Sequence, residues 1–193
     1  MVFAQWLNRI PGVPLLILSS ILNPAPLFAG TDQSSLSMNV IQYGSSATNS
    51  LLGTTGYGFT FLSEPRKAKI RLVIGSQLEL AQGLYAQSDN ATLMRGAFLV
   101  GTHFFPFKTE FVAPFIGTYA DIGWGYLSLN GTDKSIGLNL GVTISGGAEV
   151  RFSRNPDSIG LRIGSSYRLS RGQFTGQGTI ELDGLMFFIG VAL

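Results

Sequence analysis

The sequence contains no cysteine, a single histidine and few charged residues, which make up 12% of its 193 positions. The absence of cysteine excludes disulfides, thiolate metal sites and a cysteine nucleophile. The charged fraction is about half of the roughly 25% that is usual in soluble domains. The net charge of +2 is too small to indicate a nucleic-acid partner. The composition therefore excludes thiol chemistry and gives no support to nucleic-acid binding.

The first residues of the chain differ from the rest. "MVFAQWLNR" carries one charge, Arg9, and is followed by the apolar run "IPGVPLLILSSIL" and by "NPAPLFAG", which has small residues near its end. The apolar run is short and interrupted by proline, whereas a membrane-spanning helix needs about 20 apolar residues. We expect residues 1–29 to be a cleaved secretory signal and residues 30–193 to form the barrel domain. The alternative is that the N-terminal segment is a membrane anchor.

The mature chain lacks the 3.6-residue period of helices and alternates between apolar and polar residues instead. In "SIGLNLGVTISGGAEVRF", residues 135–152, every second side chain is apolar apart from one glycine, and the others are small or polar. A period of two is typical of a strand, because successive side chains point to opposite faces. The pattern predicts eight strands, at about 35–44, 54–63, 67–80, 92–104, 110–129, 135–152, 159–170 and 179–193.

The apolar face of these strands is predicted to lie in lipid. In a small soluble barrel this face would point inward, and its large side chains would overfill an interior of eight strands. If it points outward, the glycine-rich polar face fills the interior without crowding. The sheet must then close, because an open edge in hydrocarbon leaves backbone groups unpaired. The sequence therefore predicts an all-β fold, an eight-stranded antiparallel up-and-down transmembrane β-barrel.

The connections between the predicted strands also alternate. Those after strands two, four and six are short and contain proline, whereas those after strands one, three and seven are longer and polar; the short connection after strand five is an exception. Transmembrane barrels have short periplasmic turns and longer external loops. With an even number of strands, both termini are predicted to be periplasmic.

Aromatic residues fall mostly towards the ends of the strands on the outward face, which is where transmembrane barrels carry their aromatic girdles. The alternative is that strands are simply rich in aromatic residues. The predicted girdle residues are Tyr57, Trp124, Tyr126, Phe152 and Tyr167.

The signal segment, the eight amphipathic strands and the last strand, "DGLMFFIGVAL", together resemble the small outer-membrane β-barrel proteins of Gram-negative bacteria, the OmpA-barrel and OmpX-like group. The stretch "APFIGTYADIGWGY" is similar to a glycine-rich strand of that group. One departure is Leu193, since such proteins usually end in Phe or Trp. The resemblance implies an integral outer-membrane protein whose partners are membrane lipid and lipopolysaccharide, the barrel-assembly machinery through the C-terminal strand, and a protein partner through the loops.

Charged residues on the inward face should pair, because a buried charge is costly unless it is paired. If the sixth hairpin closes Phe152 opposite Ile159, Glu149 faces Arg162. We interpret the inward charges as a salt-bridged plug, with a gated ion path as the alternative. The predicted lumen charges are Lys69, Arg71, Arg95, Asp121, Glu149, Arg151 and Arg162.

Catalysis that depends on histidine would have to use His103, which the alternation places inside the barrel without an adjacent serine. We therefore expect no catalytic residue, and no residue cluster has the spacing of a metal site. No cofactor and no nucleic-acid partner are predicted. The predicted function is a non-enzymatic role in membrane integrity or in partner contact through the surface loops. The alternatives are a lipid A-modifying barrel enzyme, of the deacylase or acyltransferase type, and a narrow ion channel.

Overall fold

The computed structural model of the chain describes residues 32–44, 55–65, 68–85, 89–109, 111–129, 133–153 and 159–193. The predicted signal segment, residues 1–29, lies outside the described residues. Within them, no helix is long and apolar enough to cross a membrane.

The described residues form one sheet in which each strand is antiparallel to its neighbours. The strands are β1 (Asp32–Tyr43), β2 (Thr55–Pro65), β3 (Ile70–Tyr85), β4 (Asp89–Phe104), β5 (Val112–Leu129), β6 (Asp133–Arg151), β7 (Gly160–Phe174), β8 (Gly178–Glu181) and β9 (Gly184–Ala192). The sheet closes because β1 pairs with β9 as well as with β2. Both β8 and β9 pair with β7, so together they occupy the eighth position of the wall. The predicted eight-stranded up-and-down barrel is confirmed.

The alternation of β6 shows which face is outside. Leu138 is 74% exposed, and the apolar residues two apart along the strand are exposed with it, whereas Asn139 and Glu149 are buried inside the barrel. The charged side chains that the described strands expose, Lys134, Arg171 and Glu181, are all close to strand ends. The outward face is therefore an apolar band bounded by polar residues, as a transmembrane barrel requires.

The two ends of the barrel differ in their connections, but not as the sequence predicted. We call the end where β1 begins and β9 stops the terminal end, and the opposite end the distal end. The predicted long connections after strands three and seven are wrong: β3 and β4 pair as far as Tyr85 and Asp89, and β7 passes to β8 through residues 175–177. Polar residues that look like loop in the sequence continue the backbone ladder there, because backbone pairing does not require apolar side chains.

The interior is packed at both ends with apolar side chains, and between them polar side chains surround a smaller apolar cluster of Leu62, Val73, Leu99 and Tyr119. At the terminal end, Phe105, Ala113 and Phe115 form a buried cluster that also contacts Phe188. A larger apolar cluster fills the distal end and consists of Ile41, Tyr43, Ala81, Ala91, Leu93, Leu127, Leu129, Phe174, Leu182 and Met186. An eight-stranded barrel is just wide enough for side chains to fill in this way.

Candidate functional site in the barrel interior

A cluster of charged side chains lies next to the aromatic packing at the terminal end, and we call it the terminal cluster: Glu64, Arg71, His103, Glu149 and Arg162. Its centre is Glu64, which lies near the end of β2 and is buried. Glu64 Oε1 accepts hydrogen bonds from Arg71 Nη1, at 2.9 Å, and from Arg162. Its other carboxylate oxygen contacts His103 Nδ1. One carboxylate from β2 thus joins side chains from β3, β4 and β7.

Glu149 and Arg162 lie opposite each other in the β6–β7 ladder, as the predicted hairpin requires. Arg162 Nη2 is 3.6 Å from Glu149 Oε2, and Arg162 Nη1 donates to Ser35 Oγ at 3.1 Å. Arg151 donates to Glu149 Oε1 at 2.9 Å, and its side chain is 17% exposed. Arg151 therefore lies at the rim of the terminal cluster.

A second group of charged side chains lies next to the distal packing, on the side nearer the middle of the barrel. We call it the distal cluster: Glu79, Arg95, Asp121 and Arg168. Arg168 donates two hydrogen bonds to the Glu79 carboxylate, at 2.5 and 3.0 Å. Arg95 donates to Glu79 at 3.3 Å and also pairs with Asp121. Two arginines thus balance two carboxylates, so each charge of the cluster has a partner of opposite sign.

Neutral groups complete the distal cluster. Tyr43 donates to Glu79, and Arg95 Nε donates to Asn139 Oδ1 at 2.8 Å. Arg168 Nε donates to the backbone carbonyl of Leu182 at 3.0 Å. The cluster is therefore fixed both to the distal packing and to the wall.

A hydrogen-bonded chain leads from the terminal cluster towards the middle of the barrel. His103 contacts Glu64 through Nδ1 and the Tyr119 hydroxyl through Nε2, and Ser145 Oγ donates to the same hydroxyl at 3.3 Å. A serine near His103 could not be predicted from the sequence, because Ser145 is on β6, two strands away. The chain Glu64, His103, Tyr119, Ser145 could relay a proton. It does not form a nucleophile–base pair, since the tyrosine separates the serine from the histidine.

Gly117 on β5 leaves space for the His103 ring beside the backbone of its own strand. A Cβ at position 117 would lie 2.7 Å from Ser145 Oγ and would overlap the His103 ring. The glycine-rich inward face thus makes room for the large polar side chains of neighbouring strands.

Between the two clusters lies a cavity of about 50 Å³. It is lined mostly by polar side chains, among them Asn39, Thr60, Tyr119 and Thr143. Because a buried water needs roughly 10–15 Å³ of such volume and polar partners, the cavity has room for a few waters. It is a chamber of water size, far smaller than a solute-binding pocket.

The structure places most of the predicted lumen charges in these clusters. Arg71, Glu149 and Arg162 belong to the terminal cluster, and Arg95 and Asp121 to the distal cluster. The prediction for Lys69 is wrong. Because β3 begins at Ile70 and not at about residue 67, Lys69 lies on the bend before the strand and is exposed.

Glu64 and the chain through Tyr119 and Ser145 were missed in the sequence. Glu64 stands in "SEPRK", which looks like a turn, and only its alternation with Leu62 could have placed it on the inward face. The side chains that it contacts come from strands that are not its sequence neighbours.

The predicted girdle residues all face outward, but their positions along the barrel differ. Tyr57, Trp124 and Tyr126 lie towards the distal ends of their strands, and Phe152 directly follows β6 at the terminal end. Tyr167 lies at the middle of β7, so the prediction that it stands near a strand end is wrong. The apolar–polar alternation determines whether a residue faces inward or outward, whereas its position along the barrel depends on where the strand starts.

Within the described residues, no group of three or more histidine, aspartate or glutamate side chains could hold a metal ion.

No family model matches the sequence. No curated protein matches it either. Similar solved structures include Neisserial surface protein A, with a TM-score of 0.56 and 14% identity over 84% of this chain and 96% of that chain. Ail of Yersinia pestis, in complex with the heparin analogue sucrose octasulfate, has a TM-score of 0.49 and 13% identity over 85% of this chain and 100% of that chain. The N-terminal β-barrel domain of OprF from Pseudomonas aeruginosa has a TM-score of 0.44 and 11% identity over 84% and 97%.

Three observations agree on the architecture: the sheet closes, its outward face is apolar, and it can be superposed on Neisserial surface protein A along nearly the full length of both barrels. The chain has the fold of the small eight-stranded outer-membrane β-barrels, as the resemblance in the sequence implied.

Proposed function

We propose that the protein is an integral, non-enzymatic outer-membrane barrel that is closed to solutes, has both termini in the periplasm, and acts in membrane integrity or in partner contact through its surface loops. The observation that carries the proposal is the filled interior. Two ion-pair clusters and three apolar clusters fill the described interior, and only a chamber of water size lies between the ion-pair clusters.

The position of His103 supports a non-enzymatic role. Its side chain is 0% exposed, and both ring nitrogens have partners inside the barrel. A lipid substrate reaches the outer face of a barrel, whereas a general base must lie within hydrogen-bond reach of the atom that it deprotonates. An enzyme acting on lipid A through this histidine would need the interior to open.

The proposed partners follow from the exposed parts of the chain. Outer-membrane lipid and lipopolysaccharide would contact the apolar band, and the assembly machinery would recognise the C-terminal strand, β9. The outward residues Leu185, Phe187, Ile189 and Val191 give this strand the apolar face that insertion requires. A protein partner would bind the connections beyond the membrane.

A bacterial strain without the protein tests the role in membrane integrity. We expect increased uptake of a hydrophobic dye, restored by the wild-type chain and by His103→Ala, with an unchanged lipid A mass spectrum. A lipid A acyl chain that is gained or lost with the protein, and that no longer changes with His103→Ala, would show that the barrel is an enzyme.

The polar chamber favours a narrow ion path as the second candidate, because it lies between clusters that could rearrange. Planar bilayers distinguish the two functions: a closed barrel gives no conductance steps. Steps that change with Glu149→Ala, but not with the exposed control Glu181→Ala, would favour the ion path.

A further inference from the structure

We propose that the chamber between the two charged clusters is a binding site for a small monovalent anion, chloride, beside Arg162. The inference goes beyond the proposed function and does not depend on it. The chamber belongs to the barrel interior whether the protein acts in membrane integrity or in partner contact.

The guanidinium of Arg162 has an N–H group that its protein neighbours do not use. Nη1 donates to Ser35 Oγ at 3.1 Å, and Nη2 donates to Glu64. Nε has no hydrogen-bond partner among the described residues, although Arg162 is only 1% exposed. A buried donor without a partner is costly, above all on a charged group. It therefore marks a place for a ligand that accepts a hydrogen bond.

The wall of the chamber favours a negative occupant. Arg162 lines the chamber, and none of the described residues that line it is a carboxylate. The two acidic partners of Arg162, Glu64 and Glu149, are not part of this wall. Because a buried ion is costly unless it is paired, the arginine at the wall favours an anion and disfavours a cation.

Hydroxyl groups of the chamber wall can complete the site. Ser37 on β1 is opposite Gly190 on β9, and Gly190 is opposite Arg162 on β7, so the residue between Ser37 and Arg162 in this row has no side chain. Ser166 is two inward positions further along β7, and both serines line the chamber. A serine hydroxyl rotates to donate to an acceptor. An anion beside Arg162 Nε can thus receive hydrogen bonds from more than one strand.

The size of the chamber favours a monatomic ion. Its volume of about 50 Å³ has room for only a few waters. The rings of Phe115 and Phe188 form part of the wall, and the guanidinium carbon of Arg162 is 5.0 Å from the ring centroid of Phe115. A chloride ion with the remaining water fits this space, whereas an organic anion needs a larger pocket.

Water is the competing occupant. Glu149 Oε2 also lacks a hydrogen-bond partner among the described residues, and it is 3.6 Å from Arg162 Nη2. A water molecule can accept from Arg162 Nε and donate to this carboxylate, whereas chloride only accepts. The two occupants predict different results when chloride is replaced by another anion.

Urea unfolding of the protein in phosphatidylcholine vesicles tests the site, with sodium gluconate replaced stepwise by sodium chloride at constant ionic strength. A ligand that binds one site of the folded chain raises the folding equilibrium constant by the factor 1 + [chloride]/Kd. We therefore expect this constant to be about tenfold higher at a chloride concentration of ten times Kd than in gluconate alone.

The variant Ser37→Ala/Ser166→Ala removes two hydroxyls from the chamber wall and keeps Arg162. A hydrogen bond to an ion contributes about tenfold to the affinity, so the double variant should bind chloride about a hundredfold more weakly. Ser135→Ala/Ser170→Ala is the matched control and should keep the chloride dependence. These two serines are also buried, but they donate to backbone carbonyls and do not line the chamber.

An unchanged folding equilibrium in chloride would overturn the proposal. So would an equal chloride effect in the wild type and both double variants, because that is a general effect of the salt. Every variant is first checked for the heat-dependent gel shift of a folded barrel. If a variant does not fold, the chloride dependence of the wild type and the position of bromide in crystals still decide.

Crystals of the wild type grown in sodium bromide locate the ion directly. We expect an anomalous bromine peak in the chamber, in contact with Arg162 Nε. Water alone in the chamber, with bromide only on the protein surface, would overturn the site. Dye uptake and bilayer conductance test the proposed function by other measurements, so a failure of the site and a failure of that function are distinguishable.

Discussion

At the residue scale, Glu64 is the side chain on which the terminal cluster depends. It accepts hydrogen bonds from Arg71 and Arg162 and contacts His103, and it is almost fully buried. Without this carboxylate, the two arginines would keep Glu149 as their nearest acidic neighbour in the cluster. Since an unpaired buried charge is far more costly than a missing neutral contact, removing the Glu64 carboxylate should destabilise the barrel strongly.

Glu64→Gln is therefore expected to lower the free energy of unfolding by about 3 kcal/mol, the order found when one partner of a buried pair is removed. Gln keeps the size of the side chain but not the charge, so packing changes little. Urea unfolding of the barrel in phospholipid vesicles measures the difference.

Glu181→Gln is the control, because Glu181 pairs with Arg171 at 3.8 Å in an exposed position. Exposed pairs contribute about 0–1 kcal/mol. Equal losses for the two variants would mean that Glu64 is accessible to water and that the interior is not closed.

The contacts of these residues show which parts of the charged interior can be predicted from the sequence. Glu149 opposite Arg162 follows from one hairpin, so counting from its turn is enough to predict the pair. Glu64 on β2 meets Arg162 on β7 across the interior. That contact depends on how the barrel closes and on the tilt of all its strands, which no single hairpin reveals.

At the element scale, β6 carries the clearest evidence for a lipid-facing side. Its outward residues from Ile136 to Ile144 are exposed and apolar. Ile144 lies near the middle of the strand and Ile136 near its distal end. The strand therefore offers two equivalent side chains at different depths.

We expect Ile144→Arg to destabilise the barrel by about 2–4 kcal/mol and Ile136→Arg by about 0–1 kcal/mol, because a charge is most costly at the centre of the membrane. Both changes are made on the same face of the same strand, so strand propensity is matched. Unfolding by urea in vesicles gives the two free energies.

The depth dependence is the decisive result. If both arginines cost the same small amount, the band faces water. If Ile136→Arg costs more, the membrane covers the distal end instead of the middle of the strand.

The strand centres could be predicted from the sequence, whereas several strand ends could not. Alternation predicts which residues of each strand face outward and which face inward. Because one face lies in lipid and the other in the barrel interior, apolar and polar residues repeat with a period of two. The distal ends of β3 and β4 extend beyond the lipid band to Tyr85 and Asp89. There the sequence AQGLYAQSDNA no longer alternates between apolar and polar residues, so the pattern ends before the hydrogen-bonded ladder does.

At the scale of the whole molecule, the seam between the first and last strands turns a sheet into a barrel. β1 and β9 pair from Ser35 and Ala192 to Tyr43 and Gly184. The backbone bonds between Ser34 and Leu193, at 3.2 and 2.7 Å, extend this ladder by one pair. Every barrel property argued above, from the paired interior charges to the absence of a sheet edge in lipid, requires this register.

Because the chain contains no cysteine, the seam can be tested by an engineered disulfide in an otherwise thiol-free protein. Ser35 and Ala192 are adjacent to the doubly hydrogen-bonded Ser34–Leu193 pair, so they form a non-hydrogen-bonded pair, the closer of the two types. We expect Ser35→Cys/Ala192→Cys to oxidise readily and to keep the fast gel migration of the closed barrel after boiling without reductant. Ser35→Cys/Phe188→Cys is the control: its second cysteine lies four residues further along β9, roughly 13 Å away, too far for a disulfide. Efficient cross-linking of the control, or none in the first variant, would show that the barrel closes in another register or does not close.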